Sequence, residues 1–408
     1  MQQSKLPSNS QYVIVTVDRP VMFHQTEDET WLFNPNRRYI INASRIPALH
    51  GFIQSVSEFD NSSLYNPLKA GKVVTGAKIL VERFRERGVG DLLFLTGPLS
   101  YIHHVSGANV SIDVYAYSDR GVVLTYAPFL NNQTVYCGPI EYDHLRMYNY
   151  HWFVGSVTEC DEEPDQLNVY DALFRQLGFD PNTIDARWKR PTATLVSDDY
   201  QHLDQLLKWV YTRNNLDLRR LPYYVVAPFS NASLRCMPYS TWLKIIEKLA
   251  QRRPVLVVGA SKQRLPDTDM SAGTLIEKLD SYGASVLTLI DKTPLRLLMA
   301  LISRAKAIVC LDSAPLYIAE AVGTPAISIW GAHDPGVRIG YDERYMRYAV
   351  WNRAACNCAP CYAYSEFPAS KCPQGAKQKV CACFEDVQPD DVLKMMDSVE
   401  SESGQIKI

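Results

Sequence analysis

Two short stretches of this 408-residue chain set chemically capable side chains beside tight turns. In the first, RERGVGD, Gly88 and Gly90 precede Asp91 at the head of a leucine-rich run. Glycine lets the backbone turn sharply and approach a ligand closely. A carboxylate at such a turn can take a proton from an attacking hydroxyl. In the second, LDSAPLYIAEAVG, Asp312 and Ser313 stand just before Ala314 and Pro315 at the start of a helical pattern. Asp and Ser are good N-cap residues and proline is tolerated in a first turn. The free N–H groups and dipole of a helix start attract phosphate, so this turn is expected to hold the diphosphate of an activated sugar. Ser230 and Arg235, in APFSNASLRCMP, add a hydroxyl and a cation of the kind that grips phosphate bidentately. His333 follows the run AISIW in a loop at a strand's C-terminal end, where α/β sheets bind ligands.

The elements that must carry these residues are legible. Residues 307–311 form an apolar, β-favouring run, and Leu316, Ala319 and Val322 recur at helical spacing. Gly323 can end that helix in the left-handed region and Pro325 forbids its continuation, so 326–330 is the next buried strand. This is a βαβ unit, the element of a parallel sheet. KILVERF at 78–84, SIDVYA and GVVLTYA read as strands. LLFLTGPLSYIHH reads as a helix that Gly97-Pro98 kinks or shortens. NVYDALFRQLGFDP and SDDYQHLDQLLKWVYTRNN read as helices, YYVVAPF and VLVVGAS as strands, and QPDDVLKMMDSVE as a short amphipathic helix. QYVIVTV, RPVMF and RYIINA suggest a small β-rich unit near the N-terminus.

The resulting division is an N-terminal extension (1–70), an α/β domain (71–195), a second α/β domain (196–398) and a tail (399–408). Alternating strands and helices in two halves imply paired Rossmann-like domains facing a cleft.

Composition narrows the class. A hydrophobic content of 47% and a net charge of −2 suit a globular protein and argue against one that coats nucleic acid generally. No apolar run approaches the roughly 18 residues that span a membrane, and the polar start MQQSKLPSNSQ lacks a signal-peptide core, so a cytoplasmic location is expected. Six cysteines crowd into 356–383: Cys356, Cys358, Cys361, Cys372, Cys381 and Cys383. Thiolates at this spacing admit a four-ligand structural zinc, with Cys358, Cys361, Cys372 and Cys381 as the candidate set. Free thiols and disulfides are the competing readings, and none is catalytic.

Taken together, KILVERFRERGVGDLLFLTGPL, APFSNASLRCMP, LDSAPLYIAEAVGTPAISIWGAHDP and the CAPC segment resemble the heptosyltransferase family, glycosyltransferase family 9. The resemblance covers roughly 78–392. It implies the two-domain GT-B architecture, a nucleotide-diphosphate sugar donor held mainly by the C-terminal domain, inversion at the anomeric carbon, and no catalytic metal. On this resemblance Asp91 matches the general base. Gly90 and Arg87 are taken for the acceptor side; Arg83, Arg85 and Arg87, alternating before the glycine turn, read either as a solvated strand end or as a grip on an anionic acceptor. Arg235 stands where the family has a lysine facing the donor phosphates. Asp312, Ser313 and Ala314 match the turn holding the diphosphate and donor sugar. The sequence departs at Ala314, a glycine in the family, and at Tyr317, a histidine there. An acidic residue for the nucleotide ribose is missing at its usual place, with Asp267 and Asp269 nearby. Residues 1–70 match no part of the family pattern.

The functional expectation is an inverting glycosyltransferase. Its acceptor is a glycan or lipid-linked saccharide, or alternatively a hydroxylated base in DNA, as bacteriophage enzymes of similar architecture modify. A non-catalytic sugar-nucleotide-binding protein and a sugar-nucleotide epimerase are the competing classes.

Overall fold

The computed structural model describes residues 12–26, 29–58, 76–82, 88–116, 118–131, 135, 138–154, 167–230, 235–260, 272–331, 333–351, 382–384 and 387–405. The chain divides into two compact units. The first comprises Met1–Leu92, Pro98–Ser156 and Leu173–Thr183; the second comprises Leu93–Gly97, Val157–Ala172 and Ile184–Ile408.

The second unit is built on a six-stranded sheet. Its strands are β10 (Tyr224–Ala227), β11 (Val255–Val257), β12 (Val286–Thr288), β13 (Ala307–Leu311), β14 (Ala326–Trp330) and β15 (Ala349–Trp351). They run parallel in the order β12-β11-β10-β13-β14-β15. Numbered from the first strand of the unit, that is 3-2-1-4-5-6, the doubly wound order. All residues of β10, β11, β13 and β14 are buried, because helices cover both faces of such a sheet. The helix Tyr239–Ala250 supplies Trp242, Ile245, Ile246 and Leu249 to that core. Each such aliphatic side chain, fully removed from water, contributes about 1.5–3 kcal/mol. The C-terminal helix Pro389–Gln405 packs Val392, Met396 and Val399 onto the same core. It takes in most of the stretch that the sequence reading left as a tail.

The first unit holds two kinds of sheet. β6 (Lys78–Glu82) lies between β7 (Ser111–Tyr115) and β9 (Tyr150–Phe153) in a parallel three-stranded sheet. The N-terminal region is β-rich, as expected. β1 (Tyr12–Val17) pairs antiparallel with β4 (Arg38–Asn42) and β5 (Ile53–Glu58), while β2 (Val21–Thr26) and β3 (Glu29–Phe33) form a hairpin. This region does not stand apart within the unit. β4 takes β8 (Ile140–Glu141) as its next strand, and Ile40 and Ile140 pack with Leu80 and Tyr115 of the parallel sheet.

The predicted helix over LLFLTGPLSYIHH splits where expected, into Val89–Phe94 and Thr96–Val105. The predicted strand GVVLTYA is wrong. Ser118–Gly121 is a helical turn continued by a 3-10 turn over Val122–Leu124, and Tyr126 takes a left-handed φ of 68°. Tertiary context overrides β-propensity here: Gly121 packs close to Val135, whose Cγ1 would lie 2.9 Å from a Cβ added at 121.

Candidate functional site

The doubly wound order reverses between β10 and β13, and α/β sheets bind ligands outside the strand C-termini at such a switch point. The loops leaving these two strands carry Ser230 and Arg235, and Asp312 to Ala314. The first loop is seated by Phe229, whose ring presses on Gly259; a Cβ there would fall 2.3 Å from the ring. Ser230 is buried, and its carbonyl accepts from Cys236 Sγ at 3.6 Å. Arg235 Nη1 donates to the Asp312 carbonyl at 3.0 Å and lies 3.7 Å from Asp312 Oδ2. The Arg235 Nε is buried without a hydrogen-bond partner among the described residues. The structure thus brings Arg235 and the Asp312 turn together from stretches 77 residues apart.

Asp312 is the hub. It is 3% exposed, and both its oxygens are occupied: Tyr317 donates its hydroxyl to Oδ1 at 2.5 Å and His333 Nδ1 lies 2.6 Å from Oδ2. Burial alone would raise its pKa. The His333 hydrogen bond and the charges of Arg235, His333 and Arg338 outweigh it, and the carboxyl is held well below the usual range. Burial is the largest influence on His333 and lowers its pKa against the pull of Asp312. The imidazole is therefore neutral. Since a carboxylate only accepts, its proton sits on Nδ1. Burial and the Asp312 charge both push the Tyr317 hydroxyl well above its ordinary range, so it stays a donor. The Phe94 ring meets Tyr317 edge-on at 4.6 Å and fixes that ring.

The helix after the turn runs Ala314–Val322, with Gly323 in the left-handed region at φ 81°, as the sequence predicts. Its first turn offers fewer amides than the sequence reading assumed. Pro315 has no N–H, and the Leu316 amide donates to Ser313 O at 3.0 Å. Ser313 is the N-cap, but its side chain makes no cap hydrogen bond; its hydroxyl donates to Leu311 O at 3.4 Å. The helix contribution to an anion is therefore its dipole and the amides of Ser313 and Ala314.

In the first unit, Asp91 lies half-buried in the first turn of the helix Val89–Phe94, and Gly90 is buried inside that turn. The need for Gly88 is concrete. A Cβ on residue 88 would fall 2.1 Å from Asp91 Oδ2, so only glycine leaves the carboxylate where it is. Arg87, Asp267, Asp269 and the candidate zinc ligands Cys358, Cys361, Cys372 and Cys381 lie outside the described residues, as does Cys356. Cys383 is buried in the second unit's core. Among the described residues no His/Cys/Asp/Glu group is arranged to hold a metal, and no helix is long and apolar enough to cross a membrane.

Sequence reading missed Arg338 and Glu320. Arg338 ends the short helix Pro335–Arg338 after β14, and its charge acts on Asp312, Tyr317 and His333. Glu320 is 5% exposed; burial raises its pKa to about 8, while the Gly340 amide hydrogen bond opposes the rise. A charged residue on the buried side of IAEAV, three after Tyr317, was the available signal.

A parallel sheet in the doubly wound order, with an arginine and a buried carboxylate at its switch point, defines a class, that of Rossmann-like α/β folds. The particular family follows from comparison. The family model for glycosyltransferase family 9 (heptosyltransferase) matches residues 149–366, and the chain belongs to that family. It is 34% identical over 130 residues to lipopolysaccharide heptosyltransferase 3 of Escherichia coli K12, covering 31% of this chain and 36% of that protein. It is 25% identical over 250 residues to the lipopolysaccharide core heptosyltransferase OpsX of Haemophilus influenzae, covering 60% of this chain and 63% of that one. The matches thus span less than two thirds of either relative. The fold is the α/β GT-B fold of solved heptosyltransferases. E. coli ADP-heptose LPS heptosyltransferase II superposes with a TM-score of 0.56 at 13% identity, over 80% of this chain and 99% of that one. The iron-containing dodecameric glycosyltransferase TibC of enterotoxigenic E. coli gives 0.55 at 12% identity, over 98% of this chain and 93% of that one. The TibC match extends over the N-terminal β-rich region that the sequence pattern left unmatched.

Proposed function

We propose that this chain transfers a sugar from a nucleoside-diphosphate sugar to an acceptor hydroxyl with inversion, as a heptosyltransferase-like enzyme. The observation that carries the reading is the convergence of Arg235 on the Asp312 turn at the switch point of the second unit's sheet. A leaving diphosphate accumulates negative charge. A guanidinium with an unsatisfied buried N–H, together with a helix dipole, stabilises that charge in the transition state. Ser313 and Ala314 belong to that turn and Ser230 to the loop after β10, and Tyr317 acts through Asp312, which its hydroxyl braces. Neutral His333, braced from the other oxygen of Asp312, borders the site.

Asp91 is the general base. An acceptor hydroxyl is a poor nucleophile until its proton is removed, and a carboxylate within hydrogen-bond reach contributes about 10²–10⁴-fold. Gly90 and Arg87 are assigned to the acceptor side of the reaction, the latter from the sequence alone. A solved TibC complex contains ADP-D-β-D-heptose, so ADP-heptose heads the list of donors to test. The relatives are named for lipopolysaccharide, which favours a saccharide acceptor over a base in DNA. No step of this chemistry requires a metal; the cysteine segment is a candidate structural site, and iron is to be assayed beside zinc.

The test is incubation with a panel of nucleotide sugars and saccharide acceptors, following nucleoside diphosphate release and the anomeric configuration of the product by NMR. Release of diphosphate with inverted product is the expected result. Release with a retained configuration removes the single-displacement mechanism, and no release from any donor removes the transferase reading.

A further inference from the structure

Resting on that donor site, we propose that Asn168 and the Lys189–Asp171 pair are positioning residues. They hold the loop after β14, and through it His333, in the place the Asp312 turn requires. Residues 331–341 join β14 to the helix Glu343–Arg347 with only the one-turn helix Pro335–Arg338 between. Such a connection would ordinarily be among the least stable parts of a fold.

Here its C-terminal half is tied from within the second unit. Asn168 Nδ2 donates to Gly336 O at 3.0 Å and to Ile339 O at 2.8 Å, while its Oδ1 accepts from the Tyr170 amide at 3.0 Å. The Gly340 amide donates to Glu320 Oε1 at 2.8 Å, and the Tyr341 amide to Lys189 O at 2.8 Å. The Tyr341 hydroxyl donates to Asp171 Oδ2, and Lys189 Nζ lies 2.8 Å from Asp171 Oδ1 and 4.5 Å from the Tyr341 ring centre. Gly340 permits the approach: a Cβ there would fall 2.3 Å from Glu320 Oε1 and 2.8 Å from Lys189 O.

The cost of this arrangement identifies its purpose. Lys189 and Asp171 are 6% and 9% exposed, and desolvating such a pair offsets most of its attraction. Apolar side chains would fill the space at least as favourably. What they would not supply is a fixed place for the loop. Its N-terminal end presents His333 to Asp312 at 2.6 Å, and its C-terminal end is the part held by Asn168, Glu320 and Lys189. The anchors at 336–341 thus leave the short span from His333 to Gly336 little freedom to draw the imidazole off Asp312.

The test compares Asn168→Asp, Lys189→Met and Lys189→Arg with a control, Arg296→Gln, which breaks the half-buried Arg296–Asp199 pair of the same unit. Calorimetric titration with ADP and with UDP reads the affinity of the donor turn. Hydrogen exchange reads the amides of Gly340 and Tyr341. Asn168→Asp and Lys189→Met are expected to weaken nucleotide binding by about 10- to 100-fold, the scale of a misplaced site group, and to speed exchange at both amides. Lys189→Arg restores binding to near the wild-type value. Arg296→Gln lowers the melting temperature and leaves affinity unchanged. Equal affinity in all variants, or an equal loss in the control, overturns the proposal. If the wild-type chain binds neither nucleotide, the donor reading fails separately. Unchanged exchange at Gly340 and Tyr341 would still refute the anchoring, and faster exchange would support it.

Discussion

Glu320→Gln should change the pH dependence of stability in a way that can be calculated. In the folded chain the Glu320 carboxyl is buried, accepts from the Gly340 amide through Oε1, and leaves Oε2 buried without a partner among the described residues. Burial raises its pKa from 4.5 to about 8. Between these values the folded chain keeps a proton that the unfolded chain has lost. Stability therefore falls as pH rises from about 4.5 to about 8 and is level above. At 1.36 kcal/mol per pH unit the whole window amounts to about 5 kcal/mol, and about 3 kcal/mol is already lost at pH 7. Glutamine keeps the acceptor for Gly340 and cannot ionise. Its amide in the place of Oε2 adds a fixed cost of about 1–3 kcal/mol that does not vary with pH. The readout is thus the slope. Urea unfolding of both proteins from pH 4 to pH 9 should show a stability difference that shifts toward the variant by about 1.4 kcal/mol per pH unit and levels near pH 8. Parallel curves would refute a protonated Glu320 in the folded state.

Three further outcomes are expected. Gly88→Ala should displace the Asp91 carboxylate, whose Oδ2 lies 2.1 Å from where the new Cβ would be. Turnover should fall at least about 10-fold, toward the 100-fold or greater loss of Asp91→Asn; activity equal to wild type in Asp91→Asn takes Asp91 out of the mechanism, and in Gly88→Ala it shows that the carboxylate swings aside without loss. Arg235→Lys should bind a nucleoside diphosphate more tightly than Arg235→Ala but less tightly than wild type, because lysine supplies charge without the bidentate fork; calorimetry checks the order. Asp312 is held ionised below its ordinary pKa of 3.8, so it contributes stability above about pH 4 that is lost as pH falls further. Asp312→Asn should flatten the acid limb of the unfolding profile, and an unchanged limb contradicts the hub.

Local signals in the sequence carried much of the fold. The strand–helix–strand unit from 307 to 330 appears within its expected bounds, because its apolar runs, Pro315, Gly323 and Pro325 all point the same way. Gly97-Pro98 broke its helix for the reason expected. The failures come from contacts between segments apart in the chain and, in one case, from a local turn. GVVLTYA has strand composition, but Gly121 packs against Val135 and the chain coils. The helix start at Ala314 looked rich in free amides, yet Leu316 turned back on Ser313. Arg235 and His333 could be nominated from their neighbours in the sequence. Glu320 left one signal, a charge on the buried side of its helix; Arg338, Asn168 and Lys189 left none, since their contacts exist only after β14 and its loop are laid against segments that are far away in the chain.

The most direct measurement is a crystal structure of the chain with a bound nucleoside-diphosphate sugar. The account predicts the diphosphate at the β10–β13 switch point, within hydrogen-bond reach of Arg235 and of the Ser313 and Ala314 amides. A diphosphate seated at any other edge of the sheet, with Arg235 still engaged only on Asp312, would contradict it.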